Sequence, residues 1–231
     1  MSLNDRIGHV TLLVMCSSTL LTPRICPATC VSTHDMHFTP PRTVEQLLQN
    51  LRLAFNSDEL LDPAFFVDSN LTTFFNAKAV TWGMGFTPLH ISDISPEPSL
   101  AGVTSITAKI WLTGQATGPL LKNGSVEVQL SPASGVTLGA VRRVFGTETK
   151  VIPKTPPTDM LPNAGNTADL PDPSIEYAKV RAAAVISCQP VRVVARFSAH
   201  IEDPDVAWQH KPVRFPDDAS VTSIWLDASV E

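Results

Sequence analysis

Apolar positions along the chain follow two different periods, and the change between them falls near Ala77. Before it the spacing is helical. Thr43 and Gln46 stand three apart, a capping-box pattern at a helix start. Val44, Leu48, Leu51 and Phe55 then form one apolar stripe, which Leu47 and Ala54 widen. Asp62-Pro63 is a second start signal, a capping acid with proline at the first helical position. In the stretch AFFVDSNLTTFFN that follows, Val67, Leu71, Phe74 and Phe75 form an i, i+4, i+7, i+8 set. The pattern predicts one short helix, or two broken at Ser69 or Asn70, with the phenylalanines as core.

After Ala77 the pattern turns to strands. AKAVTW is the first predicted strand, and HISDISPEPSLAG, rich in proline and serine, reads as a loop. SITAKIWL alternates, with Ile106, Ala108, Ile110 and Leu112 on one face and Thr107, Lys109, Trp111 and Thr113 on the other. KNG, residues 122–124, reads as a hairpin turn. SVEVQL then turns Val126, Val128 and Leu130 inward. GVTLGAVRRVFG reads as the partner strand, with Gly139 marking a bulge or a close approach. Pro153, Pro156, Pro157, Pro162, Pro171 and Pro173 break any period, so residues 150–174 are predicted as a long loop between strands of one sheet. VRVVARFSAHI is the clearest strand. It sets Val191, Val193, Ala195, Phe197, Ala199 and Ile201 against Arg192, Val194, Arg196, Ser198 and His200. Pro190 suits its start or an edge position. VTSIWLDASV supplies the last strand.

Helices followed by strands predict an α+β domain, with two amino-terminal helices packed on a curved antiparallel sheet of about six strands. A β-sandwich with a helical extension is the alternative. The order helix, helix, strand around LLQNLRLAF, FFVDSNLTTFFN and AKAVTW resembles the nuclear-transport-factor-like, or SnoaL-like, cone. The resemblance covers residues 43–148 and 183–230. It implies helices lying in the hollow of a curved sheet. In the family's enzymes an acid–histidine pair works in that pocket, and here Asp68, Asn70, Trp82 and His90 would line its mouth. The chain departs from the family in being longer than the usual unit, and in the proline-rich segment that interrupts its sheet.

The amino terminus has a different character. Ile7 to Leu21 is apolar apart from His9, and Pro23 and Arg24 end it. The segment is short for a bilayer span and fits the apolar region of a signal peptide. Small residues suited to cleavage follow at Cys26, Ala28 and Cys30. Residues 1–30 are therefore predicted to be a signal peptide and residues 31–231 a single domain, secreted or periplasmic. An uncleaved anchor, or a buried segment of a cytoplasmic domain, is the alternative. The cysteines are Cys16, Cys26, Cys30 and Cys188, a spacing that matches neither a redox pair nor a zinc knuckle. Early cleavage would leave Cys30 able to pair with Cys188; later cleavage would leave Cys188 a buried thiol.

Charge narrows the function classes. The chain of 231 residues carries a net charge of −5 with only 17% charged residues, and its one adjacent basic pair is Arg142-Arg143, which argues against a nucleic-acid partner. Phosphate loops, nucleophile elbows and zinc-protease helices are absent, and no cofactor is expected. His34, Asp35 and His37, and separately His200, Asp203, Asp205 and His210, carry metal-binding or acid–base side chains, but a solvated lead-in and a polar turn account for them. The outward residues Lys109, Trp111, Arg192 and Arg196 form the candidate binding patch, provided that their two strands are neighbours. The expected function is an exported, non-enzymatic binding or assembly domain that recognises a protein or small ligand. A cone-fold enzyme acting on a small apolar substrate is the alternative. Membrane contact is expected only through an uncleaved leader.

Overall fold

The computed structural model of the chain describes residues 38–83, 92–115, 118–153, 172–183, 189–201 and 214–231. The expected leader, all four cysteines, the His34 cluster, His90, Asp203, Asp205 and His210 lie outside the described residues. The described architecture is α+β. One open antiparallel sheet holds eight strands in the order β1-β2-β3-β4-β8-β7-β6-β5. In chain order these are β1 Val80–Trp82, β2 Ser92–Pro96, β3 Val103–Gln115, β4 Gly118–Leu130, β5 Lys150–Ile152, β6 Ser174–Ala183, β7 Gln189–His200 and β8 Ser220–Val230. Three α-helices accompany them: α1 Val44–Asn56, α2 Asp68–Phe75 and α3 Leu138–Phe145.

The first helix forms as its pattern predicts. The Thr43 hydroxyl accepts from the Gln46 amide at 3.2 Å, and the Gln46 side chain turns back to the Arg42 amide at 2.7 Å. Every residue of the predicted stripe is buried, and Leu47, Leu48 and Leu51 are almost inaccessible. Each such leucine contributes about 1.5–3 kcal/mol of apolar burial. Asn50 is buried among them because its amide nitrogen satisfies two carbonyls, of Thr39 and of Phe74, both at 3.0 Å. It thereby ties α1 to the last turn of α2 and to the incoming chain.

The segment after α1 breaks at a point the pattern misses. Asp62 does cap, accepting from the Ala64 amide at 2.8 Å, but the element it starts is a 3-10 turn, Pro63–Phe66. The break falls at Val67, which is the N-cap of α2 and is exposed, so Val67 leaves the predicted apolar set. Phe65, Phe66, Phe74 and Phe75 are core, packed edge to face at 4.7–5.1 Å between ring centroids.

Four further expectations need correction. The sheet has eight strands rather than six, because HISDISPEPSLAG contains β2, the proline-rich region opens with β5, and SIEYAKVRAA forms β6. GVTLGAVRRVFG contains a helix, α3, instead of a strand. Thr137 caps it, and Leu138, Val141 and Phe145 recur at helical spacing into the core. A short apolar run fits either period, and the cap decides here. Residues 122–124 lie inside β4 and make no turn. The described strands form a single sheet, so the sandwich alternative is not adopted.

The strand faces agree with the alternation. Ile106, Ala108, Ile110, Val126, Val128, Leu130, Ile224, Leu226, Ala228 and the odd-numbered apolar residues from Val191 to Ala199 are buried in one cluster with the helices. Phe145 of α3 packs on Tyr177 and Phe197 of the same face, at 5.2 and 4.9 Å between ring centroids. The helices therefore cover this inner face, and the opposite, outer face is left to the polar halves of the strands.

Tyr177 gives the core a direct probe, since it is the sole tyrosine. Its hydroxyl donates to the Gly146 carbonyl at 3.1 Å. Burial, reinforced by the Glu148 charge, pushes the phenol up to about 12. The folded value lies above the ordinary one, so the stabilisation is complete below about pH 10 and is lost as pH rises through about 12. Phenolate absorbance should stay flat in the folded protein until that upper range. A midpoint near 10 would contradict the buried placement.

Candidate functional site

The outer face is best read in rows across the sheet. One row runs Trp111, Asn123, Ser229, Arg192, Val180. The next runs Lys109, Ser125, Asp227, Val194, Ala178, and the third Thr107, Glu127, Trp225, Arg196, Glu176. Lys109, Trp111, Arg192 and Arg196 thus share this face, but their strands are not neighbours. β4 and β8 separate β3 from β7, a distance of three strand spacings or roughly 14 Å. The four do not form one patch by themselves. The residues between them complete it.

At the β6 end of this surface stands an ion cluster built around Glu176. Arg196 Nη2 donates to Glu176 Oε2 at 2.8 Å, and Arg192 Nη2 lies 3.9 Å from the other carboxylate oxygen. The Arg196 guanidinium also stacks over the Trp225 ring at 5.4 Å. The Glu176 side chain is 7% exposed, while those of Arg192 and Arg196 are 53% and 43% exposed. One strand along, Asp227 is buried and accepts from the Asn123 amide at 2.7 Å. Burial holds its carboxyl above the usual range, against the opposing pull of Asn123, Arg192 and Ser229. Glu176 and Asp227 are therefore sunk, Glu127 is half-buried beside Trp225, and the arginines stand out above them. Trp111 adds a large ring, 45% exposed, at the β3 end.

Three of these residues escape the sequence pattern for one reason each. Glu176 sits on β6, whose alternation is diluted by alanines, Ala178, Ala182 and Ala183. Trp225 and Asp227 sit on β8, which is legible as a strand. Their place beside Arg196 and Arg192 depends on β8 lying between β4 and β7, and no local pattern encodes that order.

The other sequence-derived groupings have separate fates. Trp82 Nε1 donates to Asp68 Oδ1 at 2.7 Å, and the Asn70 amide donates to the Ala64 carbonyl at 2.7 Å, so both polar groups support local structure. His200 ends β7 opposite Ser220 and is exposed. Among the described residues no group of histidine, cysteine, aspartate and glutamate is placed to hold a metal ion, and no helix is long and apolar enough to cross a membrane.

A cleft of about 580 Å³ lies elsewhere, at the start of α3, lined by Thr137, Gly139, Arg142, Arg143, Arg214 and Asp217. Its buried cation is already spent. Arg142 donates to Glu148 at 2.7–3.2 Å, to the Phe215 carbonyl at 2.9 Å and to Asp217. Burial works against the guanidinium charge, but the two carboxylates outweigh it and raise its proton affinity. The Arg142 hydrogen bonds in turn hold Glu148 below its usual range. This arrangement locks α3 to residues 215–217. The exposed cations of the cleft are Arg143 and Arg214, the latter paired with Asp217 at 3.3 Å, and the exposed Asp218 also lines it.

Comparison of the chain with protein-family models, curated proteins and solved structures finds no match.

Proposed function

We propose that this chain is a non-enzymatic binding or assembly domain, and that its outer sheet face receives an acidic, aromatic-containing segment of a protein partner. The observation that carries the reading is the layering of charge there. Glu176 and Asp227 are buried, whereas Arg192 and Arg196 project on β7, Arg196 over the Trp225 ring, and Trp111 is exposed at the β3 side of the same face. A partner meets cations and rings first, and an incoming carboxylate can take the outer donors of guanidiniums already oriented by Glu176. Arginine and tryptophan are also the side chains that most often dominate binding energy. The commitment of Asp68 and Asn70 to local contacts favours binding over the enzyme reading.

A peptide-display selection on the full chain tests the reading. Selected peptides should be rich in aspartate, glutamate and aromatic residues. Arg192→Ala with Arg196→Ala should weaken them by about 30-fold or more, the scale of an interface hot spot. Equal binding to the wild type and the double variant, or selected peptides with no acidic bias, would remove the outer face as the recognition surface.

A further inference from the structure

The inner face of β6 carries a second cation site, unrelated to the outer surface. Lys179 points toward the end of α1, where its Nζ lies 4.4 Å from the Phe55 ring centroid and donates to Asn56 Oδ1 at 2.6 Å. Arg52 shares the same aromatic platform, 5.5 Å from the centroids of both Phe55 and Phe145. The surrounding charges are already assigned. Arg181, two residues along β6, engages Asp58 and the Ser57 carbonyl. Glu148 belongs to Arg142, and the Tyr177 hydroxyl to Gly146. Among the described residues no carboxylate pairs with Lys179 or Arg52. Burial, and after it the Arg52 charge, push the Lys179 ammonium down to about 8.

We propose that Lys179 is a carbonyl-reactive amine, and that it and Arg52 together take a small anionic aldehyde or 2-oxo acid between their two head groups, above the buried Phe55 ring. Arg52 pairs with the anionic group. The neutral Lys179 amine adds to the carbonyl carbon, the carbinolamine loses water, and an imine remains, with no redox change. An amine desolvated beside a second cation is a recognised way of making lysine nucleophilic near neutral pH. The contact with Asn56 also fits a purely structural role for Lys179, as a cation at the carbonyl end of α1, so the test must separate the two.

The full chain is treated with glyoxylate or with acetaldehyde, trapped with borohydride, and mapped by peptide mass. Glyoxylate should label Lys179 at least about tenfold faster than Lys78, Lys109 and Lys150, because burial and the Arg52 charge favour its neutral amine. The labelling rate should rise with pH and level off above about 8. Arg52→Met should slow glyoxylate labelling more than acetaldehyde labelling, since only the former uses the guanidinium. Lys179→Met keeps the stem on Phe55 and should fold normally while losing the fast label. Labelling of Lys179 no faster than of the exposed lysines overturns the proposal. Equal sensitivity of the two aldehydes to Arg52→Met overturns the anion half of it.

Discussion

Gly124→Ala should cost this protein about 3 kcal/mol or more of stability, the upper end of what overpacking does. A Cβ at this position would stand 1.8 Å from the carbonyl oxygen of Leu60 and 3.0 Å from the Phe66 ring. The obstacle is backbone, so no rotamer change relieves it. The 3-10 turn Glu59–Leu61 would have to lift off β4, and Leu60 and Leu61, now almost inaccessible, would be carried out of the core. For a chain of this size that loss corresponds to a fall in Tm of about 6–12 °C. Gly135→Ala is the matched control. It meets nothing within 4 Å, and its φ of +65° is the sole source of strain, worth about 1 kcal/mol. Urea unfolding of both variants decides the matter. A Gly124→Ala loss no greater than the control's would mean that the turn yields freely and does not rest on β4.

This glycine also shows where the sequence is readable and where it is not. Asn123-Gly124 has the local chemistry of a hairpin, and the pattern accordingly places a turn there. Its real requirement comes from Leu60, sixty-four residues earlier, and a long-range close approach leaves the same residue type as a turn does. Gly139 is the companion case. The pattern marks it as a bulge or a close approach, and its amide does meet the Asp217 carbonyl at 2.7 Å, but from a helix and not a strand. Where a signal is local and repeated, it survives. The Thr43 cap, the α1 stripe and the alternation of β3, β7 and β8 each rest on several residues that agree.

The candidate surface divides the same way. Which face Arg192, Arg196, Lys109 and Trp111 occupy follows from alternation alone. What lies between them does not, because strand order is decided by the whole sheet. β8, last in the chain, pairs with β4 on one side and β7 on the other, and so brings Trp225 and Asp227 to the middle. β6 then supplies Glu176 from a strand whose alanines and charged residues hide its period.

The second large effect belongs to the lock on α3. Arg142→Met should destabilise the protein by about 3–5 kcal/mol near neutral pH, because it leaves a buried carboxylate without its counter-charge. The side chains of Arg142 and Glu148 are 8% and 10% exposed, so solvent compensates little. The pH dependence identifies the mechanism. In the wild type Glu148 is held below its usual value, so its stabilisation is present above about pH 4.5 and is lost as pH falls through the lower, folded value. In Arg142→Met the largest depressing contribution is gone, and burial, which raises the value, is opposed only by a backbone hydrogen bond and the Arg214 charge. Acid then adds a smaller penalty than in the wild type, and the gap between wild type and variant narrows as pH falls. The double variant Arg142→Met, Glu148→Gln should recover much of the loss near neutral pH, since neither charge is then left buried alone. Urea unfolding at neutral and acid pH measures all three proteins. A gap that stays constant with pH would assign the loss to the Phe215 carbonyl and to packing, and would deny Glu148 the role of principal partner.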